Sequence, residues 1–563
     1  MVACLATLGP LSTRVMRMSG VKGLLPWVSL LLASLSSAQC PLYQNYAAQG
    51  HEPFTEGKWN LSYARPIAPC RTFYSPEVED TIERLRDVIK DPDLFRVWLH
   101  QVCKMATNLR KLFENAWPST LDTTIAWQGL SNSTSALNEL DGPHMSLKPE
   151  ELTFVITGDI EAMWLRDSAN QLQAYTSVLK KDSSPDSIAS LFRGAINLQA
   201  RYILENAFCN AFQAPAESGI PHKSSRNSDR ITPPYDYFKV FSCQWELDSL
   251  ASFLQLSTDY VTATHDYDFF QNASNWTKAV EVVLTTAQSM MIDSYTEEGE
   301  WQHTPYTYCA PYGGTPINEC NGSPHKGNIG LIRSFHRPSD DACTYQYLIP
   351  SNMMFSSALN TSSAIMARIE SLSPSSPNNL NVTTRMRDMS TGINRGIEKH
   401  GIVNDPKYGK IYAYEVDGYG SANVMDDPNV PSLLSAPFLG YTTSHDPIYS
   451  NTRNKILSRD NSYYAVGPVI TGVGSPHTLP GRPWPMALIM VILTSEDDEE
   501  IKRNLRWLLQ STDGLGLMHE SVHARREGVW SRQWFSWANG LFGQMVLDLE
   551  RRRPWVLGMD FQA

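Results

Sequence analysis

The sequence predicts an all-α protein, a toroid of paired helices whose long loops form a pocket at one end. Two observations carry that expectation. Of eleven candidate helical segments, most repeat apolar residues at i, i+3, i+4 and i+7, the stripe of a helix that buries one face. Four long loops rich in Gly, Pro, Tyr, Asn and Asp fall between them, and loops of that length inside a folded domain are usually functional.

The helical segments cover residues 75–90, 93–117, 164–181, 187–208, 246–260, 275–291, 351–372, 384–401, 484–495, 497–512 and 534–553. Ser75 before Pro76 and Ser495 before "EDDEE" are sound N-terminal signals, a capping hydroxyl followed by proline or by acids that suit the helix dipole. Around a dozen helices joined by longer loops suit pairs arranged in a ring. The candidate pocket loops run over residues 213–238, 303–322, 417–441 and 467–485. One stretch differs: "TFVITGDIEAMWLRDSANQLQAY" opens with a β-type run, Thr153 to Ile156, that breaks at Gly158 and hands over to a helix. The stretch "SLSPSSPNNLNVTT" is an exposed connection without chemistry.

The chain has 563 residues, 42% hydrophobic and 19% charged, the balance of a globular protein. A formal net charge of −11 and the absence of any Lys/Arg block argue against nucleic acid or an anionic membrane as partner. Residues 1–38 read as a signal peptide. Arg14, Arg17 and Lys22 precede the apolar run "GLLPWVSLLLASLSSA", which is shorter than the ~20 residues a bilayer span requires. The expectation is then a single catalytic domain over 39–563. Beyond Cys4, eight cysteines remain (Cys40, Cys70, Cys103, Cys209, Cys243, Cys309, Cys320 and Cys343), an even set with no CxxC. That set predicts disulfides and an oxidising compartment. Seven N-x-S/T sequons, at Asn60, Asn132, Asn272, Asn275, Asn321, Asn360 and Asn381, predict a secreted glycoprotein, in the medium, the wall or the secretory lumen. At Asn321 the nearby Pro324 disfavours use.

No GxSxG, GxxxxGK[ST] or strand-linked GxGxxG occurs, so nucleophile-elbow, P-loop and dinucleotide chemistry lack support. "HESVH", His519 to His523, matches the H-E-x-x-H zinc signature, in which a helix sets both imidazoles on one face with the Glu as general base. No clear third ligand follows it. A second constellation joins acids to aromatics: Trp164, Arg166 and Asp167 at one helix start, with Trp245, Glu246 and Asp248 at another. A loop adds Glu415, Asp417, Asn423, Asp426, Asp427 and Asn429, and Glu520 follows near the end. Each acid taken singly reads as a helix cap worth ~1 kcal/mol. Together, beside the longest loops, they suit sugar: rings stack on aromatic planes while carboxylates, Arg and Asn take the hydroxyls. Cleaving a glycosidic bond requires two carboxyls, which this inventory supplies.

The strings "GDIEAMWLRDSANQ", "WELDSL", "LIPSNMM", "EVDGYGSANVMDDPNVPSLL" and "GLMHES" together resemble glycoside hydrolase family 125, whose fungal members are secreted. They occur in family order over nearly all of the chain from about residue 65. The resemblance implies an (α/α)6 toroid and an inverting, metal-independent exo-α-1,6-mannosidase acting on mannans or N-glycans as a monomer, without a cofactor. It makes Asp248 the general acid and Glu520 the general base, ~6.5–9.5 Å apart to leave room for water. Arg166 and Asp167 would hold hydroxyls of the terminal mannose, with Trp164, Trp245, Glu246 and His519 in the same site. Asn423, Asp426, Asp427 and Asn429 would shape the pocket, and His523 becomes incidental. Two other readings stay open: a zinc peptidase built on His519, Glu520 and His523, and a glycan-binding protein without catalysis.

Overall fold

Helices of two kinds alternate along the chain in a computed structural model, which describes residues 40, 43, 59–90, 108–131, 149–222, 229–309, 320–372 and 381–559. The predicted signal peptide and the 93–107 part of one predicted helix lie outside the described residues. From Tyr43 onward the chain clusters into one unit, and all the helices described belong to it.

These helices are α1 (Pro76–Val88), α2 (Asn108–Ala116), α3 (Ser119–Thr123), α4 (Leu165–Gln173), α5 (Ile188–Asn206), α6 (Leu247–Thr264) and α7 (Tyr267–Asn272), followed by α8 (Ser274–Ser289), α9 (Ile349–Leu372), α10 (Val382–Gly396), α11 (Pro447–Ile456), α12 (Pro485–Leu493), α13 (Asp498–Gln510) and α14 (Ser536–Arg552). All nine residues of α4 are buried, as are eight of the nine in α12. By contrast α1 buries only Val78, Thr81, Ile82 and Leu85, and α13 buries a similar stripe of Ile501, Asn504, Leu505, Leu508 and Leu509. Helices buried all round, such as α4 and α12, belong to an inner ring, and one-faced helices such as α13 to an outer one.

The contacts trace the inner ring. α4 packs on both α14 and α6, α6 packs on α9, and α12 packs on α14. Between α9 and α12 the inner place is taken by a turn-built segment, residues 430–441. Ser357 on α9 donates to the carbonyl of Leu439, and Tyr449 on α11 donates to that of Leu434. That segment carries Pro431 and Pro437, which remove the N–H groups a helix requires. α5, α8, α10, α11 and α13 stand outside.

Short antiparallel pairs lead into the inner helices. β1 (Ile125–Leu130) pairs with β2 (Glu151–Val155), which realises the predicted β-type run. β3 (Met163–Trp164), β4 (Ala211–Phe212) and β5 (Val240–Ser242) form one three-stranded sheet just before α4 and α6. β6 (Tyr347–Leu348), β7 (Glu415–Val416) and β8 (Ala422–Asn423) form another at the start of α9. β9 (Ser521–Val522) and β10 (Trp530–Ser531) make a hairpin before α14.

Two sequence expectations change. The predicted helix at 164–181 stops at Gln173 and continues as turns, and α11 forms where no helix was expected. Asp446 caps α11 by accepting from the N–H of Tyr449, with Pro447 in the first turn. Cys209 pairs with Cys243 and Cys309 with Cys320, and Cys40 and Cys70 are disulfide-bonded as well. Cys343 is a free thiol, so the disulfides the even set predicts form without it, while Cys103 lies outside the described residues. Among the described residues no helix is long and apolar enough to cross a membrane.

Ring closure depends on Gly543 of α14. A Cβ there would lie 2.2 Å from the ring of Trp117, which is fully buried and donates to the carbonyl of Ala174 at 3.0 Å. Gly543→Val is expected to cost about 1–3 kcal/mol by overpacking. Urea denaturation of the two proteins checks this, and an unchanged midpoint would show that Trp117 has room to shift.

Candidate active site

The starts of α4, α12 and α14 converge on one pocket that opens to solvent, with about 400 Å³ of empty space between its walls and the mouth. Its wall takes Trp164, Arg166 and Asp167 from the start of α4, Trp484 from the start of α12, and Phe535 and Trp537 from the start of α14. Loops add Pro338, Ser339, Asp340, Asn429, His477, Glu520 and Arg532. Acids placed at helix N-termini sit where the helix dipole favours negative charge.

Arg166 organises one side. It is 3% exposed, and its Nη1 donates to Glu246 at 2.6 Å and to Asp248 at 3.0 Å. Asp167 lies 3.6 Å from its Nε and Asp340 lies 4.0 Å from its Nη2. Burial works against the guanidinium charge, yet these carboxylates, Glu246 and Asp248 foremost, hold it well above its ordinary value. Burial pushes the Glu246 carboxyl well above the usual carboxylate range, with Arg166 pulling the other way. Asp248 is fully buried; besides Arg166 it accepts from Ser351 of α9 at 3.3 Å.

Asp340 occupies the loop between Arg337 and Asp341, in the left-handed backbone region at φ 67°, which non-glycine residues seldom adopt. The loop is anchored from below. The N–H of His336 donates to the carbonyl of Trp245, and the ring N–H of Trp245 donates to that of Arg333. Arg337 Nε donates to Glu415 at 2.6 Å, and Glu415 accepts from Asn423 at 3.0 Å. Asn210 donates to the Asp340 carboxylate at 3.3 Å.

Glu520 immediately precedes β9 at the open end of the β9–β10 hairpin. Its carboxylate accepts from Ser531 at 2.9 Å and meets Arg532 at 3.4 Å. Arg532 also donates to Asp159, which fixes the turn before α4. On the remaining wall, Asp427 accepts from the side chain and N–H of Asn429 and from Ser475, setting Asn429 in the pocket. Asp426 accepts the N–H groups of Leu433 and Leu434. Asp341 lies 3.5 Å from His477 and raises its imidazole above the ordinary value.

The predicted residues thus divide. Trp164, Arg166, Asp167, Asn429 and Glu520 meet at the pocket wall. Glu246 and Asp248 lie buried behind Arg166. Trp245, Asn423, Asp426 and Asp427 brace the loops and do not line the cavity. His519 is 1% exposed, stacked on Trp530 at 4.2 Å, and does not line it either. Asp340, His477, Trp484 and Arg532 went unpredicted; the only signals were the Asp pair in "RPSDDA" and the Trp in "GRPWP".

The zinc signature loses its geometry. Residues 521–522 form a strand, so no helix face brings His519 and His523 together. Among the described residues no three His, Cys, Asp or Glu side chains group so as to hold a metal.

A pocket walled by three acids (Asp167, Asp340 and Glu520), four indole or phenyl faces and several donors, at the head of a helical toroid, defines a glycoside hydrolase site. The family of metal-independent α-mannosidases known as GH125 matches residues 106–547, and the chain belongs to it. It is 42% identical over 523 residues to the meiotically up-regulated gene 157 protein of Schizosaccharomyces pombe, covering 92% of this chain and 94% of that one. A Streptococcus pneumoniae α-mannosidase of the metal-independent family, solved as a non-productive complex with α-1,6-mannobiose, superposes with a TM-score of 0.69 at 30% identity. The match covers 86% of this chain and all of that one. The fold is accordingly the (α/α)6 toroid, and the protein is an α-mannosidase of this family.

Burial holds the Asp167 carboxyl up at about 6, against the pull of Arg166. A carboxyl raised in the folded state binds its proton more tightly folded than unfolded. Stability therefore falls as pH rises from about 4 to about 6, by roughly 3 kcal/mol at most. Asp167→Asn should flatten that slope in denaturation midpoints measured across this window. Parallel wild-type and variant curves would show that Asp167 is ionised throughout.

Proposed function

We propose that the protein removes non-reducing terminal α-1,6-linked mannose from mannans or N-glycans, with inversion, using Asp340 as general acid and Glu520 as general base. The observation that carries the assignment is that these two carboxyls both stand on the pocket wall, on different loops, while Asp248 is sealed beneath Arg166. A general acid must reach the leaving oxygen, and a group with no exposed surface does not. Asp340 gives its proton to the glycosidic oxygen as the C–O bond breaks and positive charge spreads over the sugar ring. Glu520 takes a proton from the water that attacks the anomeric carbon from the opposite face. Its carboxylate is held by two donors, Ser531 and Arg532, which suits a group that starts ionised. Asp167, Asn429, His477 and Arg532 take hydroxyls, and Trp164, Trp484 and Trp537 supply apolar faces.

The linkage preference draws support from the mannobiose bound by the Streptococcus relative. Disulfides and the sequence's leader support a route through the secretory pathway, with glycans at exposed sequons such as Asn360 and Asn381. Asn321, by contrast, is 2% exposed, and its side chain accepts from the N–H of Thr304.

Proton NMR of fresh digests of α-1,6-, α-1,3- and α-1,2-mannobiose in excess EDTA tests the reaction. Early β-mannose from the 1,6 substrate alone is the expected result, and α-mannose or a metal requirement would overturn it. Asp340→Asn should lose at least ~10²-fold on mannobiose yet retain turnover of an aryl mannoside whose leaving group requires no proton. Glu520→Gln should lose both. An Asp340→Asn enzyme fully active on mannobiose would return the acid role to Asp248.

A further inference from the structure

We propose that Glu246 and Asp340 act as one unit, a carboxyl pair sharing a single proton, in which Glu246 is the positioning residue that keeps Asp340 supplied with the proton it donates. The inference rests on the reading of Asp340 as the acid. Its ground is an oxygen without a donor. Glu246 is 1% exposed; its Oε2 accepts from Arg166 at 2.6 Å and from Ser249 at 3.2 Å, but no donor reaches its buried Oε1. An ionised carboxylate with one oxygen orphaned in the interior is costly, whereas a protonated carboxyl brings its own hydrogen and requires only an acceptor.

The acceptor at hand is Asp340, which shares the Arg166 guanidinium with Glu246: Nη1 lies 2.6 Å from Glu246 and Nη2 4.0 Å from Asp340. The placement is built in. Gln244, two residues before Glu246, donates from its side chain to the Asp340 carbonyl at 3.4 Å. Asn210 accepts the Gln244 N–H at 3.1 Å and donates to the Asp340 carboxylate.

Charge counting points the same way. Glu246, Asp248, Asp167 and Asp340 all lie within 4.0 Å of one guanidinium. Four ionised carboxylates about a single buried cation would repel one another strongly, so at least one holds a proton at neutral pH. Burial raises the Asp248 carboxyl as well, against the pull of Arg166, but Asp248 has a donor for each oxygen, Arg166 and Ser351, so an ionised carboxylate is better satisfied there than at Glu246. Tyr306 and Cys343 also face Glu246; burial raises both well above their usual range, so neither adds charge. On the Asp340 side, besides Asp167 and Asp341, stand two imidazoles. His336 is buried, which lowers it to about 4, so it is neutral in the working range, while His477 is committed to Asp341.

The protons balance through turnover. In the resting pair the hydrogen moves between Glu246 and Asp340. When Asp340 passes it to the glycosidic oxygen, that oxygen keeps the bonding electrons and leaves as a hydroxyl. The pair then carries no proton, Glu520 carries the one taken from water, and solvent returns it. No other reactant enters.

The experiment is the pH profile of kcat/KM for wild type and Glu246→Gln on α-1,6-mannobiose and on a dinitrophenyl mannoside. A lone Asp340, facing an amide N–H, would give up its proton earlier than the pair does. The alkaline limb on mannobiose should then move down by about one pH unit or more, with roughly tenfold loss beyond it. On the dinitrophenyl substrate the loss should stay below about threefold. Difference infrared spectra should show a protonated-acid carbonyl band in resting wild type that is missing in Glu246→Gln. Equal losses on both substrates with an unmoved limb, or an unchanged band, would overturn the pairing and leave Glu246 a structural partner of Arg166. If Glu246→Gln fails to fold, the infrared band of wild type against Asp340→Asn decides, since removing the acceptor must shift it. Failure of the underlying assignment reads differently: Asp340→Asn would remain active on mannobiose.

Discussion

A single guanidinium holds the catalytic end of this protein together. Arg166, near the start of α4, binds Glu246 and Asp248 at the start of α6 and stands against Asp340 on the loop before α9. Through Asp248 and Ser351 the same network reaches α9 itself. Three inner helices are thereby set in register by one charged group. Replacing such a buried ion cluster with apolar residues often stabilises a protein, so stability does not explain it. What the cluster secures is position: acids that would repel one another are kept at fixed distances around a pocket.

The opposite wall follows the same logic with a different balance. Arg532 pairs with Glu520 and Asp159 and is 24% exposed, whereas Arg166 is shared among four acids out of solvent. One side is crowded with carboxyls around one cation; the other offers a carboxylate paired with donors. Two acids in one pocket are driven to opposite roles when their surroundings differ in this way. The asymmetry lies in the counter-ions, not in the choice of Asp over Glu.

The ring was legible because helix periodicity is a local signal, and α1, α5, α8 and α13 stand where apolar spacing placed them. α11 escaped because its buried face is only Tyr449, Thr452 and Ile456. In the site, Trp164, Arg166, Asp167, Asn429 and Glu520 were found because their strings are distinctive. Trp245 and His519 misled for one physical reason. In an extended segment neighbouring side chains point to opposite faces, so when Glu246 and Glu520 face the site, Trp245 and His519 turn into the core. Asp340 was missed because only a plain Asp pair marks it locally. Its role comes from a left-handed backbone and from anchorage to Trp245, which are properties of the tertiary structure.

The Arg532–Asp159 clasp joins residues 373 positions apart, and Gly158 bridges to Phe535 at the same seam. The site is therefore closed by segments from the two ends of the folded unit. During synthesis the Arg166 side of the pocket is translated long before the Glu520 side. A chain that ends before the C-terminal hairpin lacks Glu520, Arg532, Phe535 and Trp537, so one wall of the pocket is missing while most helices of the ring are present. The pocket is thus completed by chain order: its wall closes only when the last inner helix docks.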